Sequence, residues 1–167
     1  KGDYRTGLAF AVKAREIDER LLAADPANPT AQMDLAIDFY QVSTAQYHLG
    51  DLAGSTSSLE QSIAMREKIL SQNPDDARAL DRLAFALSGV AGQRGELGDA
   101  EGARIDYERA LRIYTGLHAR GLRHVHRYHV PHRLAHAQRV EQREARGVAL
   151  DQGRQAIEDV EAIAGSH

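Results

Sequence analysis

The chain of 167 residues contains no Cys and no Trp, only four Pro, and 5% aromatic residues. Without Cys it has no disulfide framework, no thiolate zinc site and no thiol nucleophile, which excludes several classes of secreted domain and enzyme. We therefore expect a cytoplasmic protein. The longest stretches without a formal charge, such as residues 39–50 and 83–93, are shorter than the roughly 20 residues of a membrane-spanning helix. We expect no contact with membranes.

Helix-forming residues dominate the composition. Ala and Leu together account for 44 residues, whereas the β-branched Val, Ile and Thr total 21. This balance favours helix over sheet. Apolar residues also recur at intervals of three and four, as in Leu59, Ile63 and Leu70, which is the period of an amphipathic helix. The sequence predicts an all-α protein.

A long internal repeat runs along the chain. Gly-Asp pairs occur at evenly spaced positions, residues 2–3, 50–51 and 98–99, and the same interval separates Pro26 from Pro74. A unit of about 48 residues has room for two helices, the first from about Thr30 to Leu49 and the second from about Leu52 to Gln72. We therefore predict a stack of helix pairs joined by short turns.

The ends of these helices carry recognisable signals. Asn28 and Asp76 occupy equivalent places and are predicted to cap the first helix of their copies. Each Gly-Asp pair predicts a tight turn, in which Gly adopts the unusual dihedral and Asp caps the following helix.

This pattern resembles the tetratricopeptide repeat (TPR). The residues that carry the resemblance in the two complete copies are Leu35, Ala36, Phe39, Gly50, Asp51, Leu59, Ser62 and Pro74, and then Leu83, Ala84, Leu87, Gly98, Asp99, Ala103, Tyr107, Ala110 and Leu111. That family has a unit of about 34 residues. The longer unit here adds about two turns to each helix, which keeps the same face toward its neighbour. Long repeats of this kind are similar to those attached to bacterial serine/threonine protein kinases and other signalling proteins.

The resemblance implies a right-handed superhelical solenoid of antiparallel helix pairs, with about seven helices and the first helices on the concave side. We expect residues 1–167 to form a single domain and to be a piece of a longer protein. Residues 3–25 are then the second helix of a truncated copy, 26–73 and 74–121 are complete copies, and 122–167 are a degenerate fourth copy.

The resemblance also implies a non-enzymatic scaffold that binds a protein or peptide and needs no cofactor. We find neither a Gly-x-Ser-x-Gly nor a His-Glu-x-x-His motif. By the register of the family, the concave side is formed by Met33, Ile37, Tyr40, Gln41, Thr44, Arg78, Asp81, Phe85 and Ser88. Such a mixture of aromatic, amide and charged groups suits a bound peptide or helix.

The fourth copy is basic. Residues 118–146 hold seven Arg against two Glu, together with six of the eight His. The spacing of His132, His136, Arg139 and Arg143 places these four residues on one face of a helix. We predict that this face binds an acidic or phosphorylated peptide, because Arg forms bidentate hydrogen bonds with carboxylate and phosphate. The alternatives are a solvated charged face, a metal held by the two His, and a nucleic-acid contact, which the net charge of −3 disfavours.

Two further interpretations concern other parts of the chain. The truncated first copy leaves the apolar side of a helix with Leu8, Val12, Ile17 and Leu21 without its natural cover, so a homo-oligomer through this end is an alternative function. Glycines at 89, 92, 95 and 98 follow one another at intervals of three along the end of a first helix. They indicate close helix approach or a bend, and the functional alternative is a smooth patch where a ligand backbone comes near.

Overall fold

A computed structural model describes residues 3–122 of the chain. This part consists of five helices, α1 (Tyr4–Ala24), α2 (Pro29–Leu49), α3 (Leu52–Gln72), α4 (Ala77–Glu96) and α5 (Ala100–Ala119), and contains no strand. The all-α prediction is confirmed for these residues. The chain divides into two units, Lys1–Tyr128 and His129–His167, and the second lies outside the described residues. The two further helices predicted for the fourth copy also lie outside them.

The helices repeat at the predicted interval. Both ends of α3 fall one repeat after those of α1, and α4 begins one repeat after α2. The caps repeat as well. The Asn28 side chain accepts hydrogen bonds from the amides of Thr30 and Ala31 at 3.0 and 3.1 Å. Asp76 does the same for the amides of Arg78 and Ala79 at 2.9 and 3.0 Å, which confirms both predicted caps.

The Gly-Asp turns have the predicted geometry. Gly50 and Gly98 adopt φ values of 86° and 85°, in the left-handed region that Gly occupies without steric cost. Asp51 and Asp99 then accept a hydrogen bond at 2.9 Å from the amide three residues later. Each turn therefore ends a first helix and caps the second within two residues.

The extensive helix contacts join consecutive helices of the chain. Small side chains make this close packing possible, since Ala36, Ala84, Ala86 and Ala91 are completely buried. A Cβ atom added at Gly89 on α4 would lie only 3.0 Å from Leu59 Cδ2 on α3. The close approach predicted for the glycine series is thus confirmed at this position.

Polar side chains also tie each helix pair together. Gln46 on α2 accepts a hydrogen bond from Ser58 on α3 at 2.7 Å. The equivalent residues one repeat later are Arg94 on α4 and Asp106 on α5, whose side chains form an ion pair at the same distance of 2.7 Å. Arg94 also reaches Glu60 on α3 at 2.6 Å. The two copies therefore join their helices at equivalent positions and equal distances, one by a neutral hydrogen bond and the other by an ion pair.

None of the helices between residues 3 and 122 combines the length and the apolar character that crossing a membrane requires.

Candidate functional site

The first helices of the two complete copies, α2 and α4, contact each other through long side chains. The rings of Tyr40 and Phe85 are 5.5 Å apart at an interplanar angle of 54°, a tilted aromatic contact. Nearer the helix ends, the Tyr47 hydroxyl donates a hydrogen bond to Glu96 Oε1 at 3.1 Å. The two helices therefore contribute to one surface, here called the α2–α4 surface.

The predicted site residues on these helices differ in how much of them solvent can reach. Ile37, Gln41 and Arg78 are exposed, and Ile37 has 39% of its surface free. The half-buried members are Met33, Tyr40, Thr44 and Phe85. Asp81 and Ser88 are buried, with exposures of 2% and 7%. The accessible part of the α2–α4 surface is consequently apolar and aromatic, with Gln41 and Arg78 adding polar groups.

The hydroxyl groups of two predicted site residues donate hydrogen bonds to carbonyl oxygens of their own helices. Thr44 Oγ1 donates to the carbonyl of Tyr40 at 2.9 Å, and Ser88 Oγ donates to the carbonyl of Ala84 at 2.8 Å. A hydroxyl carries one donor, so in these rotamers each group has only acceptor capacity left for a ligand.

The remaining predicted site residues, His132, His136, Arg139 and Arg143, lie outside the described residues. Within residues 3–122 no group of three or more His, Asp or Glu side chains is arranged to hold a metal ion.

Arg66 on α3 is a residue of this region that the sequence prediction missed. It is only 4% exposed, and its Nη2 atom donates to the carbonyl of Ala36 at 3.3 Å. Its Nε and Nη1 atoms are buried and have no hydrogen-bond partner in the described part of the chain. Burial, and then the nearby charge of Arg82, lowers the pKa of Arg66 to about 10, so the guanidinium stays positive at neutral pH.

A signal for Arg66 exists in the sequence. The residue follows Leu59 by seven positions and Ile63 by three, so it falls within the apolar stripe of α3. A charged residue in such a stripe is either paired or functional far more often than a charge on a polar face.

The junction of α1 and α2 contains a cluster of acidic residues. Asp38 is buried, with 6% of its surface exposed, and its carboxyl group lies close enough to Asp18 on α1 to interact with it. Burial raises the pKa of Asp38 to about 7, and the charges of Asp18 and Asp34 act in the same direction, against the opposing effect of Arg15. We therefore expect the packing of α1 on α2 to depend on pH.

α1 also exposes a line of apolar side chains. Phe10, Ile17 and Leu21 have exposures of 67%, 49% and 54%, and their spacing of seven and four places them on one face of the helix. Of the residues predicted to lack cover, Ile17 and Leu21 are exposed, whereas Leu8 and Val12 are half-buried. Phe10 was not predicted.

The repeat explains this exposure. The residue of α3 that corresponds to Phe10 is Ser58, which is buried and bonded to Gln46 on α2. In α3 this face thus packs against the first helix of its own copy. Within residues 3–122 no first helix precedes α1, so nothing described covers the equivalent face of α1.

Comparison of the chain with protein-family models, with curated proteins and with solved structures finds no match.

Proposed function

We propose that this chain is a TPR-like right-handed solenoid of about seven helices, and that it binds a peptide or protein segment on the concave side of its first helices. The observation that carries the proposal is the Tyr40–Phe85 contact, which joins α2 and α4 into one surface. Around it, partly exposed apolar side chains alternate with polar ones, a combination that suits an extended or helical peptide. The protein needs no cofactor for this role and catalyses no reaction itself.

The repeated packing supports the architecture. Helix pairs recur at a constant interval, and each helix packs on its neighbours along the chain, as in a solenoid. The similarity to long repeats attached to serine/threonine kinases further suggests a regulatory part of a larger, cytoplasmic bacterial signalling protein.

The basic fourth copy extends the proposal to acidic or phosphorylated ligands. If Arg139 and Arg143 contact such a ligand, replacing both by Ala should weaken its binding. Binding unchanged in the double variant would confine the ligand to the first three copies. A metal or nucleic-acid role for this segment is less favoured.

The experiment uses two isoleucines of similar exposure. Ile37, on the α2–α4 surface, is 39% exposed. Ile105 lies on α5, the second helix of its copy, and is 43% exposed. Peptides selected from a display library against the wild-type protein are titrated against Ile37→Glu and Ile105→Glu by fluorescence anisotropy. We expect Ile37→Glu to weaken binding roughly tenfold or more, because it places a charge where apolar contact is made.

The control variant separates a local effect from a general one. Ile105→Glu should bind as the wild type does. Equal affinity for all three proteins, or an equal loss in both variants, would contradict binding at the α2–α4 surface.

Self-association is the second candidate function, and the exposed line of Phe10, Ile17 and Leu21 on α1 favours it. A dimer through α1 predicts a mass that rises with concentration in light scattering. Phe10→Ser should abolish the rise, and a monomeric mass at all concentrations would exclude this role.

A further inference from the structure

Arg66 carries a buried charge that no carboxylate in residues 3–122 balances. The residue is 4% exposed, and among the described residues it forms no ion pair and donates only from Nη2, to the carbonyl of Ala36. Two further nitrogen atoms, Nε and Nη1, have no hydrogen-bond partner within residues 3–122. A buried charge is normally paired, because the loss of hydration is otherwise uncompensated.

The guanidinium lies at the meeting point of three helices beside the α2–α4 surface. It extends from α3 to the backbone of α2 and interacts electrostatically with Tyr40 on α2 and Arg82 on α4. Arg82 is exposed and, like Arg66, forms no ion pair with a described residue. The two positive charges repel each other, and an anion beside them would be attracted by both.

The repeat does not require arginine at either position. The residues one repeat before Arg66 and Arg82 are Asp18 and Asp34, and the residue one repeat after Arg66 is Tyr114. The same helix junction is thus built with acidic residues in one copy and basic residues in the next. Packing alone does not account for the two arginines.

We propose that Arg66 and Arg82 together bind an anionic group, a carboxylate or a phosphate, of the peptide that occupies the α2–α4 surface. Arg66 keeps N–H donors on Nε and Nη1 without a partner, and its planar, forked guanidinium suits the several oxygens of such a group. Because these atoms are covered in the free protein, the proposal requires neighbouring side chains, among them Tyr40 and Arg82, to move as the anion enters. Both of these side chains reach solvent.

This inference depends on the proposed function for the source of the anion, and the site itself is tested without any peptide. Inorganic phosphate is titrated at constant ionic strength while the unfolding temperature is followed. The wild-type protein should show a saturable rise, because a ligand that binds only the folded state stabilises it. Arg66→Met should remove the rise and, in the absence of phosphate, should unfold at a higher temperature than the wild type, since it removes an uncompensated charge.

Two further variants complete this test. Arg112→Met changes an exposed arginine on α5 and should keep the wild-type response to phosphate. Arg82→Gln changes an exposed residue, which keeps the fold intact, and should weaken the response. No saturable response in the wild type, or an undiminished response in both Arg66→Met and Arg82→Gln, would overturn the proposal.

Peptides distinguish the two sources of the anion and separate this inference from the proposed function. A selected peptide is compared in phosphorylated, acidic and neutral forms, and the preferred anionic form should lose roughly tenfold or more in affinity with Arg66→Met. Binding of all three forms equally to wild type and variants would defeat the inference and leave the proposed function intact. Phosphate binding that depends on Arg66, without binding of any peptide, would support the anion site and contradict the proposed function.

Discussion

Replacing Arg94 by Ala would leave the carboxylate of Asp106 buried without its closest partner. The side chain of Asp106 is only 6% exposed, and Arg94 Nη1 lies 2.7 Å from its Oδ2. Removing one member of a buried ion pair costs about 3–5 kcal/mol. The second arginine nearby, Arg109, lies 3.6 Å from Asp106 Oδ1 and offsets part of this, so we expect the lower end, ~3 kcal/mol.

The repeat supplies a specific rescue for this variant. Gln46 and Ser58 occupy the equivalent positions one copy earlier and are bonded at the same 2.7 Å. The double variant Arg94→Gln with Asp106→Ser copies that pair into α4 and α5. Its free energy of unfolding should return to within ~1 kcal/mol of the wild type, because no charge is left buried without a partner. Glu60 loses its partner Arg94 in both variants, but its side chain is 46% exposed and loses little.

Urea denaturation and thermal unfolding measure these effects. A loss of ~3 kcal/mol corresponds to a decrease of roughly 6–12 °C in unfolding temperature for a chain of this size. Burial already raises the pKa of Asp106, and loss of Arg94 raises it further. Arg94→Ala should therefore lose less stability in acid, as the carboxyl group of Asp106 becomes protonated, than at pH 7. A loss below ~0.5 kcal/mol, or a double variant as unstable as Arg94→Ala, would refute this reasoning.

The remaining predictions concern pH and the turns. Because the folded-state pKa of Asp38 is raised to about 7, its contribution to stability is complete below its unfolded pKa near 4 and is lost as pH rises toward 7. In urea denaturation, Asp38→Asn should thus exceed the wild type in unfolding free energy at pH 8 by about 1 kcal/mol or more, and should show little difference at pH 4. A constant difference across this range would contradict the assignment. Gly98→Ala should destabilise by ~1–2 kcal/mol because of its φ of 85°, whereas Gly95→Ala, in open space within α4, should stabilise by up to ~1 kcal/mol. Equal thermal shifts for the two glycines would contradict this.

The α2–α4 surface was predictable only in part. The register implied by the family resemblance placed Tyr40 and Phe85 on one surface, and the structure brings their rings together. It did not reveal that Asp81 is buried, because exposure depends on how closely the neighbouring helices approach. Arg66 was missed for the same reason. The sequence of α3 places this arginine in an apolar stripe, but it does not tell whether a neighbouring helix supplies an acidic partner.

What the sequence by itself determined is local. The caps at Asn28 and Asp76, the turns at Gly50 and Gly98 and the helical period all involve residues within a few positions of one another, so their spacing predicts them directly. Only the tertiary structure decided the electrostatic character of each junction. Whether a charge finds a partner depends on side chains from helices distant in sequence, and for that reason Arg94 is satisfied while Arg66 is not.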